Sequence, residues 1–310
     1  MRAAWIETYG GAETVRFGDF ETPSPGPREV LVAVHAASVN PIDWKLRQGL
    51  LREVFPLTLP IVLGRDFSGV VAATGSEVEG IHVGEDVFGL ADMRRGGSHA
   101  EFLAADHRMV ARKPRNLSHI EAASLPLVGL TALTAVEEVA RLHTGQRVLI
   151  HAGAGGVGGF AVQYAHHVGA LIAATCGAEN VDYVAGLGAD CVIDHATEDF
   201  AVLLSGLDLV FDTLGGDVHR RSFAVLRPGG MLVHINAAPL AGEAPRGDVV
   251  VKSASVTGRR ALLERIADLA EHTIITPQVT NVLPLAEAGS GYELSRGGHV
   301  RGKIVLDLAA

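Results

Sequence analysis

Residues Arg147 to Gly158, RVLIHAGAGGVG, decide the fold of this chain: an apolar strand-like run ends in a glycine turn, and an apolar helical period starts behind it. Gly153, Gly155 and Gly158 satisfy G-x-G-x-x-G in the one context that gives the pattern a physical meaning. A buried strand precedes it, and a helix with Phe160, Ala161, Tyr164, Ala165 and Val168 on its apolar positions follows. The first glycine permits a tight turn, and the second lets backbone N–H groups approach a pyrophosphate. The third lets the helix pack close to the strand, so that a diphosphate lies at the positive end of the helix dipole. The backbone of Gly153, Gly155, Gly156, Val157 and Gly158 is therefore the expected cradle of a dinucleotide.

Outward from the turn, the pattern alternates as a doubly wound sheet requires. Strands are expected at Leu171 to Cys176, Cys191 to Asp194, Leu207 to Phe211, Met231 to Ile235 and Val249 to Val256, with helices between them and a last helix from Arg259 to about Glu271. Strands joined by helix-length connections pair in parallel through right-handed crossovers. This places a dinucleotide-binding domain at residues 123–270. Before it, short strands such as Val30 to Val34, Ser68 to Ala73 and Glu85 to Phe88 alternate with Gly, Pro and Asp turns, the signature of a mostly β domain. Ile304-Val305-Leu306 returns to that style, so residues 1–122 and 271–310 are expected to form one domain, completed by the C-terminal strand. The fold class is α/β in two domains.

With 310 residues, 48% of them hydrophobic, the chain can bury a sizeable core. Its net charge of −9 gives no basic footprint for nucleic acid or a membrane surface. The first ten residues, MRAAWIETYG, lack the apolar core of a signal peptide, so a cytoplasmic location is expected. Cys176 and Cys191 both lie in apolar strand-like segments and read as buried, unpaired thiols. Among 14 histidines there is neither C-x-x-C nor H-E-x-x-H context for a metal. His166-His167 reads as helix surface, since adjacent helical residues point about 100° apart.

Several further segments occur in a fixed order. They are Asn40-Pro-Ile-Asp43-Trp-Lys45-Leu-Arg47-Gln-Gly49, Leu63-Gly64-Arg65-Asp66-Phe-Ser-Gly69, Glu121-Ala-Ala-Ser-Leu-Pro126 and Gly129-Leu-Thr131-Ala132. After the glycine turn come Leu187-Gly-Ala-Asp190, Asp212-Thr-Leu-Gly-Gly216, Pro228-Gly-Gly230 and Arg301-Gly-Lys303. Together they resemble, over nearly the whole chain, the medium-chain dehydrogenase/reductase superfamily, and within it the zinc-independent quinone oxidoreductase, or zeta-crystallin-like, branch. The resemblance implies a GroES-like, mostly β domain beside a Rossmann domain with a doubly wound parallel sheet, a homodimer, and a small-molecule quinone or enone as substrate. In the zinc alcohol dehydrogenases a cysteine occupies the place of Asn40 and Gly-His-Glu that of Gly64-Arg65-Asp66. An amide and a guanidinium cannot replace donors that must converge on zinc at about 2.0–2.3 Å. The segment Leu90 to Phe102 also lacks the cysteines of a structural zinc lobe. No metal is expected.

Without a Lewis acid to stabilise an alkoxide, reduction is the favoured direction, because a quinone or activated enone accepts hydride unaided. Asn40 is a candidate to bond a substrate carbonyl or the nicotinamide ribose, with a turn residue as the alternative. Asp43 and Lys45 are close enough to point into one cleft; relatives often carry tyrosine where Lys45 stands. Arg65 and Asp66 are expected to form an ion pair in place of the metal. By resemblance Thr131 contacts the nicotinamide side. Leu214, Gly215, Ile235 and Asn236 follow strand ends that line the ligand crevice, with plain turn roles as the alternative. Thr175 and Cys176 stand where a NAD enzyme places a carboxylate for the ribose 2′-OH, so NADP(H) is the expected cofactor. Glu179 and Asp182 work against a phosphate, and His195 can reach one. The leading function is an NADPH-dependent quinone or enone reductase. The alternative is a nucleotide-binding sensor or crystallin-like protein with little turnover, and a zinc alcohol dehydrogenase stands third.

Overall fold

A computed structural model describes residues 1–235, 245–256 and 259–309. Backbone contacts divide the chain into two units, Met1–Leu127 with Gly258–Ala310, and Val128–Thr257. In the first unit the chain runs through β1 (Arg2–Ile6), β2 (Val15–Asp19), β3 (Glu29–Val39), helix α1 (Pro41–Arg47), β4 (Ile61–Val62), β5 (Asp66–Thr74), β6 (Asp86–Leu90), β7 (Phe102–Asp106), β8 (Val110–Arg112), α2 (His119–Ala123) and the start of α3 (Pro126–Leu133). The second unit holds β9 (Arg147–Ile150), α4 (Gly156–His167), β10 (Leu171–Cys176), α5 (Val181–Gly186), β11 (Cys191–Asp194), α6 (Phe200–Leu203), β12 (Leu207–Asp212), α7 (Gly216–Ser222), β13 (Leu226–His234) and β14 (Val250–Ser253). The chain then returns to the first unit with α8 (Arg260–Glu271), β15 (Val279–Pro284), α9 (Ala288–Gly297) and β16 (Lys303–Asp307).

The second unit's sheet has the order β11-β10-β9-β12-β13-β14, and every pair in it is parallel. Numbered by sequence, that is 3-2-1-4-5-6. Its order reverses between β9 and β12, and ligands bind such sheets outside the strand ends at this point. Val148, Leu149 and Ile150 on β9 and Val210 and Phe211 on β12 are all buried, as central strands covered on both faces must be. Among the described residues no helix is long and apolar enough to cross a membrane.

The first unit holds a sheet of order β15-β16-β3-β5-β6-β8, with β7 also paired to β3, and a three-stranded sheet β2-β1-β4. β16 pairs with β3 antiparallel and with β15 parallel, so the C-terminal strand does complete this sheet. Along β3, Val30, Val32 and Val34 alternate inward. From Ala36 to Val39 every residue is buried. The helix α1 that follows is only seven residues long, too short for its period to show in the sequence.

Three expectations need correction. The helix expected inside the domain at 123–270, α8, belongs to the first unit. There the Arg260 guanidinium donates to the carbonyls of His107 (2.6 Å), Val110 (3.2 Å) and Glu79 (3.1 Å), satisfying loop acceptors that apolar periodicity does not reveal. The sixth parallel strand is only Val250–Ser253. Cys191 is exposed, because β11 forms the sheet edge, while Cys176 is buried.

Candidate active site

In the second unit, β9 ends at Ile150 and the turn begins with Ala152 at φ +54°, a left-handed conformation that a side chain disfavours. Gly155 is the N-cap of α4 and supplies no side chain, so no side-chain cap satisfies the first-turn N–H groups of Gly156, Val157 and Gly158. A Cβ on Gly158 would run into the Ala152 carbonyl, and one on Gly153 would meet Ala174 Cβ at 3.0 Å and Val184 Cγ1 at 3.1 Å. Close packing therefore demands glycine at both positions. Gly155, Gly156 and Val157 stay half-exposed at the helix start, which fits a pyrophosphate.

Around this turn the strand ends converge. The β10 end presents Thr175 and Cys176, both buried; burial, with Asp194 and Glu179 nearby, pushes the Cys176 thiol up to about 11. His195 is exposed, its N–H donating to the Cys176 carbonyl at 3.0 Å. At the β12 end, Asp212 Oδ1 accepts the N–H groups of Leu214 and Gly215, both at 2.9 Å, and Oδ2 accepts from His219 Nδ1 at 2.8 Å. Gly215 and Gly216 have φ +78° and +61°, which this turn requires. Leu214 is 53% exposed on it. Ile235 is half-buried, Thr131 is buried in α3, and Asn236 lies outside the described residues.

In the first unit the candidates at α1 separate. Asp43 is fully buried and accepts the Asn40 N–H at 2.7 Å, half of a capping box at the helix start. Burial pushes its carboxyl up to about 7, against the pull of the Asn40 N–H and Lys303. Lys45, by contrast, is exposed, its ammonium 5.5 Å from the Trp44 ring centre. Residues i and i+2 of a helix point about 200° apart, so Asp43 and Lys45 do not share a cleft as expected.

Asn40 is also committed inward. Its Nδ2 donates to Asp66 Oδ2 at 2.8 Å, and its Oδ1 accepts from Lys303 Nζ at 2.7 Å. Lys303 is buried on β16; it also donates to the Val39 carbonyl at 2.8 Å and stands 3.6 Å from Asp66 Oδ2. Asp66 further accepts from Ser38 Oγ at 2.5 Å and, through Oδ1, from the Leu127 N–H at 2.8 Å. The ion partner of Asp66 is therefore Lys303 and not Arg65. Beside this cluster, Tyr292 O–H donates to His99 Nδ1 at 2.6 Å and His99 Nε2–H to the Ser38 carbonyl at 3.3 Å, which burial supports by pulling the imidazole down to about 4. Gly64, at φ +96°, leaves the room that the His99 ring fills.

Sequence reasoning gave no role to Lys303, His99, Tyr292, His151 or Ser222. For Lys303 the Arg301-Gly-Lys303 match marked the position but not its partners. The others are single residues whose neighbours are distant in sequence. Among the described residues no three His, Cys, Asp or Glu side chains come together as a metal donor set.

Two family descriptions match this chain: the alcohol dehydrogenase GroES-like domain at residues 26–115 and the zinc-binding dehydrogenase family at residues 187–306. A chloroplast envelope quinone oxidoreductase homolog of Arabidopsis thaliana is 31% identical over 99% of this chain and 98% of its own. The 2-methylene-furan-3-one reductase of Solanum lycopersicum is 32% identical over 98% of this chain and 78% of its own. Among solved structures, the Escherichia coli quinone oxidoreductase complexed with NADPH superposes with a TM-score of 0.90 at 26% identity, covering 99% of this chain and 100% of that one. A β unit of GroES-like type and a parallel six-stranded nucleotide-binding sheet define the class. The chain belongs to the medium-chain dehydrogenase/reductase superfamily, and within it to the quinone oxidoreductase branch.

Proposed function

We propose that the protein is an NADPH-dependent reductase that delivers hydride to a quinone or an α,β-unsaturated carbonyl compound without a metal. One observation carries this proposal: a glycine turn with an uncapped helix start stands at the sheet's switch point, while the positions of the zinc ligands hold Asn40 and Arg65, neither able to bind zinc. The relatives support this reading, one named a quinone oxidoreductase homolog and one a 2-methylene-furan-3-one reductase.

When bound, the reduced dinucleotide supplies the hydride with both electrons, and the acceptor oxygen takes a proton. The N–H groups of Gly156, Val157 and Gly158 would hold the diphosphate at the α4 N-terminus. Leu214, exposed on the turn that Asp212 shapes, offers an apolar surface to the bound ligand. Of Asn40, Asp43 and Lys45, Lys45 is the exposed one, and its ammonium can bond the acceptor oxygen and give it a proton as negative charge gathers there. Asn40 and Asp43 act behind it by fixing the start of α1. For the 2′-phosphate, the β10 end carries no carboxylate at Thr175 or Cys176, and His195 is the exposed group that can meet it. Glu179, whose carboxylate lies over Gly177, opposes it.

Oxidation of NADPH, followed by loss of nicotinamide absorbance with 1,4-benzoquinone and with a simple enone, tests the proposal. Turnover with either supports it. Tight dinucleotide binding without turnover across an acceptor panel would favour the sensor or crystallin-like alternative, and stoichiometric zinc in the purified protein would overturn the metal-free mechanism.

A further inference from the structure

We propose that Thr175, His151 and Ser222 form a one-way hydrogen-bonded brace that holds the glycine turn in its left-handed conformation, making Thr175 a positioning residue for the dinucleotide instead of a contact to it. The inference rests on the dinucleotide-binding part of the function proposed above.

The direction of every bond follows from its terminus. The Val218 carbonyl has no proton, so Ser222 Oγ–H donates to it at 2.7 Å. Ser222 Oγ must then accept from His151, 3.0 Å away, which puts the imidazole proton on Nε2. Nδ1 keeps its lone pair and accepts from Thr175 Oγ1–H at 3.1 Å. The Thr175 oxygen in turn accepts the Ala152 N–H at 3.2 Å. The Thr175 main-chain carbonyl takes the next N–H of the turn, that of Gly153, at 2.8 Å. The His151 carbonyl accepts Thr213 Oγ1–H at 2.8 Å, tying the β12 end to the same residue.

His151, Thr175 and Ser222 are all buried, so water cannot stand in for a lost partner without a rearrangement. Burial also holds the His151 imidazole down at about 4, so it stays neutral, as the relay needs, throughout the physiological range. Ala152, at φ +54°, is where the relay ends, and a residue with a Cβ does not settle there unaided. The N–H groups of Ala152 and Gly153 are both drawn toward Thr175, which fixes the chain three residues ahead of the α4 start at Gly156. Thr175 thus has its hydroxyl proton committed to His151 and none left to donate to a ribose.

The experiment measures dinucleotide affinity by nicotinamide fluorescence, with no acceptor present. Thr175→Val removes the hydroxyl at nearly constant volume, leaving the His151 Nδ1 lone pair and the Ala152 N–H unpaired, and should raise the Kd for NADPH about tenfold. Thr175→Ser keeps the relay and should bind as the wild type does. Ala152→Gly added to Thr175→Val should recover much of the loss, because glycine adopts φ +54° without a brace. If Thr175→Val does not fold, Ser222→Ala, which strands the Nε2 proton, takes its place and should weaken binding in the same direction. Imidazole 15N shifts should report the neutral Nε2–H form of His151 from pH 6 to 8. A wild-type protein that binds dinucleotide while Thr175→Val binds equally well, or an Nδ1–H form of His151, would overturn the brace. A wild-type protein that binds neither dinucleotide would instead overturn the functional proposal.

Discussion

Replacing Asp43 by Asn should remove a pH-dependent loss of stability that the wild-type protein carries. Asp43 is fully buried, and its carboxyl is pushed up to about 7 because desolvation outweighs the Asn40 N–H and the Lys303 ammonium. In the unfolded chain it returns to about 3.9. Between those two values the folded protein holds a proton that the unfolded chain has lost, so the folded state binds more protons and its stability falls as pH rises. The loss begins near pH 4, runs at about 1.4 kcal/mol per pH unit, and levels off above pH 7. From pH 5 to pH 8 it amounts to about 3 kcal/mol.

Asn at this position has no proton to lose, and its Oδ1 can still accept the Asn40 N–H that Asp43 accepts at 2.7 Å. Urea unfolding of both proteins at pH 5, 6, 7 and 8, with the variant subtracted from the wild type, cancels every other titrating group. The wild type should lose about 3 kcal/mol relative to Asp43→Asn between the two ends of that range, with the change finished by pH 8. A difference flat to within about 0.5 kcal/mol would refute the reasoning, since it would mean that Lys303 keeps Asp43 ionised throughout.

Gly158→Ala should weaken binding of both dinucleotides by about 100-fold in a fluorescence titration, because the new Cβ collides with the Ala152 carbonyl in a turn that cannot give way. Glu179→Lys reverses the charge beside Gly177 and should shift the ratio of NADH to NADPH dissociation constants toward NADPH by about tenfold at low salt, an effect that fades as salt is added. Lys45→Met should lower kcat/KM for a quinone by about 100-fold while leaving the NADPH dissociation constant within about twofold of wild type; equal losses in both would remove Lys45 from the chemistry.

The second unit's fold was legible because its rules are local. An apolar run, three glycines at fixed spacing and a helical period specify a strand, a turn and a helix within about twenty residues, and repeating that unit specifies a parallel sheet, whose order 3-2-1-4-5-6 only the structure supplies. The first unit's long sheet was legible only in part. The C-terminal strand announced itself by its apolar run, but α1 was too short to show a period, and α8 was assigned by proximity in sequence to a domain it does not join. At the candidate sites the limit was of another kind. Asp43 and Lys45 were grouped because they are two residues apart, yet a helix sends such a pair to opposite sides. Lys303 sits more than 260 residues from Asn40, its hydrogen-bond partner, and no spacing rule reaches that far. Residue type told which groups were polar; only the fold tells which of them have spent their bonds on each other.

That distinction shows at Asn40 and Asp66, which are polar, buried and bonded to each other. Asp66 is surrounded by four compensating groups: the Lys303 ammonium, the Ser38 hydroxyl, the Asn40 amide and the Leu127 N–H. The cluster leaves neither Asp66 oxygen bare, as a buried carboxyl requires. A divalent cation entering here would have to displace an ammonium already bonded to Asn40 Oδ1 and to the Val39 carbonyl. Replacing Lys303 by Met would strand Asp66 as an unpaired buried charge, the costly half of breaking such a pair. The internal cation thus fixes β3, β5, β16 and the start of α1 on a single centre.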